Sequence, residues 1–353
     1  MDTRVEYDTK IPRYCAQPAQ TQPVLRPDLG PDRAAAIQLV GTKWVNGTVL
    51  HYAFLDRGGD IGGPEQLEEV RHAFDKWKSL GIGLEFREVD DPGEAEIRIA
   101  FIEREGSASF VGTDALTIAT TEHTMSFGWK LNTPYGRATA LHEIGHAIGF
   151  AHEHQNPFAG IEWDDEAVYT ELAGLPNEWP REVTFHNILR KLSKTQVTGS
   201  AWDPESIMEY GFPPGLIRKP EKYGREGIES PLDLSAVDKD HVLRWYPALV
   251  ARPTRLEPFQ SHPLQLSSGE QADFEIVPTQ TRKYEIGAFG QADARLVLFE
   301  ERDGEPRYLT AEDDSGQDRN SRIEVRLVKG RRYVARVRLY SAWGGGGAAL
   351  MYW

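Results

Sequence analysis

Four side chains between Leu141 and Glu153 form a pattern with a chemical reading: His142, Glu143, His146 and His152. His142 and His146 sit at i and i+4, which on a helix puts both imidazoles on one face, a turn apart. Two nitrogens presented that way can bind one zinc ion, and Glu143 stands beside them as a general base. Gly149 suits the end of that helix, because the chain can leave it at a positive φ without a Cβ to penalise the turn. The turn then returns His152 as a third ligand. Three protein ligands leave a fourth position for water, the arrangement of a catalytic zinc and not of a structural one. Bound zinc lowers the pKa of such a water to about 7, so that Glu143 can take its proton as it attacks a carbonyl. The plain alternative is a helix whose surface histidines pair with Glu143 and Glu153. The glycine and third histidine at fixed spacing argue against it.

Elements to position these residues are legible around them. Asn132-Thr133-Pro134 offers a polar cap and a first-turn proline for the histidine helix, and Leu141, Ile144 and Ile148 would anchor its opposite face. Upstream, Leu67, Val70, Phe74, Trp77 and Leu80 recur at helical spacing between Pro64 and Gly81. Ala95, Ile97, Ile99 and Phe101 alternate with Glu96 and Arg98, as in a half-buried strand. Asn46-Gly47 between β-rich flanks, Lys43 to Leu50, predicts a hairpin. Between His152 and Ser206 the chain is irregular and rich in Trp, Pro and acidic residues. Trp163, Trp179, Phe185 and Trp202 are expected to wall a cleft there, with no specificity pocket assignable.

The long motif His-Glu-x-x-His-x-x-Gly-x-x-His resembles that of the metzincin metallopeptidases. The run Phe150-Ala151-His152-Glu153, with a glutamate directly after the third histidine, resembles the astacin family within them. Ser206-Ile207-Met208-Glu209-Tyr210 looks like the metzincin Met-turn. The resemblance implies that Met208 packs beneath the metal and that Tyr210 ligates it at rest and turns to the substrate during turnover. On chemistry alone, a phenol there can donate a hydrogen bond to a developing oxyanion. Ser107 to Gly112 is similar to the family's edge strand, where a peptide would lie extended on backbone hydrogen bonds. Leu232 to Tyr246 reads as a closing helix, with the family's leucine-serine-x-x-aspartate start at Leu234, Ser235 and Asp238. Two positions depart from the family's pattern, Glu209 for a histidine and Asn156 for an arginine; neither is a zinc ligand, so they bear on subfamily and substrate preference. The resemblance implies an α+β fold, a twisted sheet with an active-site helix above an irregular lower subdomain with a C-terminal helix. It implies one catalytic zinc and protein or peptide substrates.

Composition narrows the class. A net charge of −14 disfavours nucleic acid and anionic membranes as partners. No apolar run is long enough to insert in a membrane. Met1 to Gln20 lacks the apolar core of a signal peptide. An extracellular, monomeric protein is nevertheless expected from the resemblance. Animal astacins usually carry disulfides, so the single cysteine, Cys15, points to a bacterial-type relative. Residues 1–35 hold five prolines, Pro12, Pro18, Pro23, Pro27 and Pro31, and read as an extended segment that could serve as a prosegment. The stretch Pro12 to Pro18 loosely resembles the cysteine-switch prosegments of matrixins, in which a tethered thiolate takes the open zinc position. An incidental cysteine in a flexible arm is the simpler reading of Cys15, and latency through it is the sharper one.

The expected domains are the segment 1–35, a zinc-peptidase domain over 36–250, and an all-β sandwich over 254–353. Six or seven strand-like runs carry the sandwich: Ala272 to Val277, Lys283 to Ala288, Arg295 to Glu300, Arg322 to Val328, Arg332 to Tyr340 and Ala348 to Trp353, with Lys329-Gly330 as a hairpin turn. The run from Leu296 through Asp313-Asp314-Ser315-Gly316 resembles bacterial pre-peptidase C-terminal domains. Asp313, Asp314 and Asp318 have the composition of a calcium loop, although a solvated acidic turn is the simpler account. The function expected is a zinc endopeptidase. A metal-retaining adhesion module and a zinc hydrolase of non-protein amides are the rival classes. The intact Glu143 argues against the first, since a binder needs no general base.

Overall fold

The apolar runs between Val49 and Phe127 meet in one mixed five-stranded sheet in the computed structural model. The structure describes residues 14–15, 42–44, 46–55, 62–103, 106–175, 177–192, 201–249, 253–266, 270–290, 293–302, 305–312, 320–341 and 348–353. Apart from Tyr14 and Cys15, the segment expected over 1–35 lies outside them, as do Asp313, Asp314 and Asp318. Contacts divide the chain into two compact units: Met1–Trp44, Leu50–Ile82 and Phe86–Trp245 form one, and Val45–Val49, Gly83–Glu85 and Tyr246–Trp353 the other. No helix among the described residues is long and apolar enough to cross a membrane.

The sheet is built from β1 (Val49–Phe54), β2 (Glu85–Glu88), β3 (Ile97–Phe101), β4 (Ala108–Ser109) and β5 (Met125–Phe127), in the order β2-β1-β3-β5-β4. β3 runs parallel to both β1 and β5. All five of its residues are buried, including Arg98, so it is a central strand and not the half-buried one its alternation predicted. Arg98 tolerates this because its guanidinium donates to the carbonyls of Ala95, Ile118 and Glu122. β4 is the edge strand, antiparallel to β5. The hairpin expected at Asn46-Gly47 is not formed. Gly47 does turn the chain, at φ +82°, but residues 42–44 are not a strand. The Trp44 indole there donates instead to the carbonyl of Ala147 at 2.7 Å.

α1 (Pro64–Lys78) follows its sequence signals closely, with Pro64 in the first turn, Lys76 and Lys78 in the last, and Val70, Ala73, Phe74 and Trp77 buried. It packs on α2 (Pro134–Ala147), where the Trp77 indole donates to the Leu141 carbonyl at 3.1 Å. After α2 come β6 (Glu162–Trp163), α3 (Asp165–Ala173), α4 (Arg181–Thr184), β7 (Ile217–Lys219) and α5 (Glu221–Glu226), with β6 antiparallel to β7. They surround an apolar cluster that includes Ile161, Trp163, Val168, Ile188, Tyr210 and Phe212. Trp179 and Trp202 pack against it, whereas Phe185 is half exposed. α6 (Ala236–Trp245) closes the unit, and the Ser235 hydroxyl caps it by accepting the N–H groups of Val237 and Asp238.

The second unit holds β8 (Thr254–Arg255), β9 (His262–Leu264), β10 (Gln271–Ile276), β11 (Arg282–Gly290), β12 (Asp293–Arg302), β13 (Glu305–Glu312), β14 (Arg322–Leu327), β15 (Tyr333–Ser341) and β16 (Ala348–Tyr352). They form a five-stranded sheet, β13-β12-β15-β10-β8, and a four-stranded sheet, β14-β11-β16-β9. Ile276, Ile286, Leu296, Leu298, Ile323, Val337 and Leu350 are among its fully buried core residues. Three of these strands escaped the pattern reading: β8 and β9 are too short to alternate, and β13 is polar along most of its length. Lys329-Gly330 is a turn, with Gly330 at φ +77°, but not a hairpin. β14 pairs with β11 and β15 with β10 and β12, so the turn carries the chain from one sheet to the other.

Candidate metal centre

The geometry of the centre starts at the ends of α2. Thr133 caps the first turn, its hydroxyl accepting the Gly136 N–H at 2.9 Å. At the other end Gly149 adopts φ +106°, its N–H reaching the His146 carbonyl at 2.8 Å while the Phe150 N–H reaches the Gly145 carbonyl at 3.0 Å. This pair of bonds is the glycine C-cap that ends a helix in one residue. It also turns the Phe150 carbonyl back onto His146 Nδ1 at 2.8 Å. His142 Nδ1 lies 2.7 Å from the Ile207 carbonyl. A carbonyl can only accept, so both Nδ1 atoms carry the proton and both Nε2 atoms keep a lone pair for the site.

His152 arrives from the far side of the turn, where the next residue's N–H, that of Glu153, bonds to the Met208 carbonyl at 3.0 Å. His146 Nε2 and His152 Nε2 stand 3.0 Å apart. One donor atom each from His142, His146, His152 and Cys15 lies within 4.8 Å of every other, and all four residues are buried. His142 Nε2 is buried without a hydrogen-bond partner among the described residues. An orphaned lone pair in a ring of imidazoles and a thiol is expensive unless a cation takes it. Nitrogen and sulfur donors at this spacing fit zinc. Burial holds the three imidazoles in the neutral, ligating form: it lowers His142 to about 4 and takes His146 and His152 well below the ordinary value. His154, the competitor for His152, is outside the group. Its Nε2 meets the Asn187 carbonyl at 2.8 Å, and its Nδ1 lies 3.5 Å from Glu209.

Glu143 is fully buried, and burial raises its carboxyl to about 8 against an opposing hydrogen bond from Cys15, whose sulfur lies 3.4 Å from Oε2. Burial and then the Glu143 charge push the Cys15 thiol well above its ordinary range. A bound divalent cation would offset both effects. The Tyr210 hydroxyl donates to the Cys15 backbone carbonyl at 2.8 Å and stands 2.5 Å from His152 Nε2. The Cys15 thiol thus lies within the histidine group.

Met208 is buried under α2. A Cβ at Gly145 would collide with its sulfur, so the glycine in mid-helix is what lets the methionine pack there. The sequence signal for this was a helix-weakening glycine inside a strong helical pattern. Asp238 was visible only as part of a motif. Its carboxylate accepts the Ser206 hydroxyl at 2.6 Å, the Ile207 N–H at 2.8 Å and the Ser235 N–H at 2.9 Å, and so ties the Met-turn to the start of α6. Glu209, the departure from the family's histidine, accepts the Trp202 indole N–H at 2.6 Å and the Tyr210 N–H at 2.9 Å. Asn156, the other departure, donates to Glu153 at 3.0 Å. Tyr14 was not singled out from the sequence, and it is buried beside Tyr210.

Three histidines on a helix and its exit turn, a methionine turn beneath them and the edge strand β4 beside the helix define a metallopeptidase of the metzincin class. The family model for the astacin peptidases matches residues 36–213. The chain belongs to that family, and it is a zinc metalloendopeptidase. Among solved structures it is similar to myroilysin, at 34% identity over 60% of this chain and 98% of that one, with a TM-score of 0.54. A hatching enzyme zinc-protease from Oryzias latipes, high choriolytic enzyme 1, matches at 15% identity over 58% of this chain and 94% of that one, with a TM-score of 0.38. The pre-peptidase C-terminal domain of a Bacillus anthracis collagenase matches at 16% identity over 30% of this chain and 98% of that one, with a TM-score of 0.25. No curated protein matches the sequence.

Proposed function

We propose that this chain is the latent form of a secreted zinc endopeptidase, with His142, His146 and His152 as the zinc ligands and Cys15 in the position water takes in the active enzyme. The convergence of these four donors in one buried group carries the reading. When bound, zinc supplies a Lewis acid that polarises the scissile carbonyl and makes a water acidic enough to attack at neutral pH. Glu143 takes the proton of the attacking water and delivers it to the leaving amine. Tyr210 donates to the oxygen on which charge develops; its hydroxyl already holds a backbone carbonyl, that of Cys15. The Ile207 and Phe150 carbonyls orient the His142 and His146 rings. A protein substrate lies extended along β4, the terminal strand of the sheet among the described residues, held by backbone hydrogen bonds that are largely indifferent to sequence.

In the latent form the thiol removes the water position and covers Glu143, so the arm blocks nucleophile and base together. Casein cleavage by the full-length protein, its Cys15→Ser variant and the Cys15→Ser/Glu143→Ala double variant tests the reading. The expected order is low activity, an increase of at least about tenfold, and loss of that gain. Equal activity of the first two overturns latency through Cys15. Zinc-loaded protein inactive in all three forms overturns the peptidase mechanism.

A further inference from the structure

Cys15 does not enter the centre alone. Tyr14, one residue before it, is 4% exposed, and its ring fills a slot walled by aromatic side chains. It stacks on Phe212 with centroids 5.5 Å apart and 26° between planes, meets Tyr210 edge-on at 5.2 Å, and leans on Trp179 at 6.1 Å. The slot opens from the apolar cluster of the irregular region, the stretch for which the sequence offered no specificity pocket. The main chain of the same dipeptide is held at the reacting position, since Tyr210 grips the Cys15 carbonyl. Displacing the arm would therefore expose an apolar slot one residue from the point of attack, and an aromatic side chain there re-buries on the order of 150–250 Å². At its depth the buried Tyr14 hydroxyl has no hydrogen-bond partner among the described residues, and the nearby Glu171 charge adds to burial in holding the phenol protonated.

We propose that the slot filled by Tyr14 is the subsite for a substrate side chain flanking the scissile bond, and that it selects a large aromatic or aliphatic residue, phenylalanine before tyrosine, with Phe212 and Trp179 as its specificity-determining walls. This rests on the zinc peptidase reading and on the arm occupying the substrate cleft. The missing hydroxyl partner sets the order of the two aromatics, because a buried donor left unpaired is disfavoured while a bare ring is not. Acidic residues are excluded more strongly, because the Glu171 charge adds repulsion to the cost of burial.

The test uses the full-length Tyr14→Ala/Cys15→Ser protein, in which neither the sulfur nor the ring holds the arm in place. A peptide series varies the residues on either side of the cleaved bond among Phe, Leu, Tyr, Ala, Glu and Lys, with cleavage sites read by mass spectrometry. At one of the two flanking positions kcat/KM is expected to be about 10–100-fold higher for Phe than for Ala, higher for Phe than for Tyr, and lowest for Glu. Trp179→Ala in the same background should shrink the Phe-to-Ala ratio by about tenfold. Cleavage with no apolar preference at either flanking position overturns the subsite while leaving the peptidase reading in place. Zinc-loaded protein that cleaves no peptide overturns the peptidase reading itself. An apolar preference that Trp179→Ala does not change overturns the assignment to this slot.

Discussion

Removing the Asp238 carboxylate should damage the metal centre without touching any ligand. Asp238 is 3% exposed and accepts three hydrogen bonds, from Ser206, Ile207 and Ser235. Two of the donors, the Ser206 hydroxyl and the Ile207 N–H, sit in residues about as buried as Asp238 itself. In Asp238→Ala both lose their acceptor, and a buried unsatisfied donor costs about 1–3 kcal/mol. Two of them give about 3–4 kcal/mol of destabilisation, which for a unit of this size lowers its Tm by roughly 10 °C. The same loop supplies the Ile207 carbonyl that orients His142, so zinc affinity should fall as well, by about 10–100-fold as for the loss of an outer-shell partner. Asp238→Asn keeps the shape and one acceptor oxygen and should fall between the two. Differential scanning calorimetry of the zinc-loaded proteins, with zinc affinity measured against a chelator, reads both effects. A shift in Tm below about 2 °C for Asp238→Ala would refute the role given to this carboxylate.

Tyr210→Phe, introduced into the Cys15→Ser protein, should lower kcat about 100-fold with zinc content unchanged; an unaltered kcat would remove Tyr210 from the chemistry. In the second unit, burial alone would raise the Glu300 carboxyl, but Arg331 and Arg302, at 2.6 and 2.5 Å, outweigh it and hold the group below its ordinary 4.5. A depressed carboxyl contributes stability that is present above the unfolded value and lost as pH falls through the folded one. The unit's Tm should therefore fall more steeply below about pH 4.5 in the wild-type protein than in Glu300→Gln. Parallel slopes would contradict this. Gly145→Ala should weaken the centre although alanine favours helices by about 1 kcal/mol over glycine, because its Cβ displaces the Met208 sulfur. A more stable variant with unchanged zinc affinity would show that Met208 packs there by coincidence.

The sequence was most informative where chemistry fixes spacing. The positions of His142, His146, Gly149 and His152 follow from a helix, its glycine exit and the reach of an imidazole, and the structure brings the three rings together. Local caps and stripes were equally readable, as at Thr133 and along α1. What could not be read depends on distant segments. Cys15 and Tyr14 lie more than a hundred residues from Glu143 and Tyr210, and nothing local says that this dipeptide meets them. Arg98 interrupts an apolar strand, and only its three carbonyl partners make its burial tolerable. Lys329-Gly330 has the chemistry of a hairpin, but whether two flanking strands share a sheet is decided by the other strands they pair with. The short β8 and β9 are strands because their neighbours are.

X-ray absorption at the zinc edge of the full-length protein reads the atoms bound to the metal without requiring turnover, and so distinguishes a latent from an open centre. Three imidazole nitrogens and one sulfur are expected in the wild-type protein, and three nitrogens with an oxygen replacing the sulfur in Cys15→Ser. A wild-type spectrum without sulfur would contradict the latent form. Fewer than three imidazoles in both proteins would contradict the assignment of His142, His146 and His152.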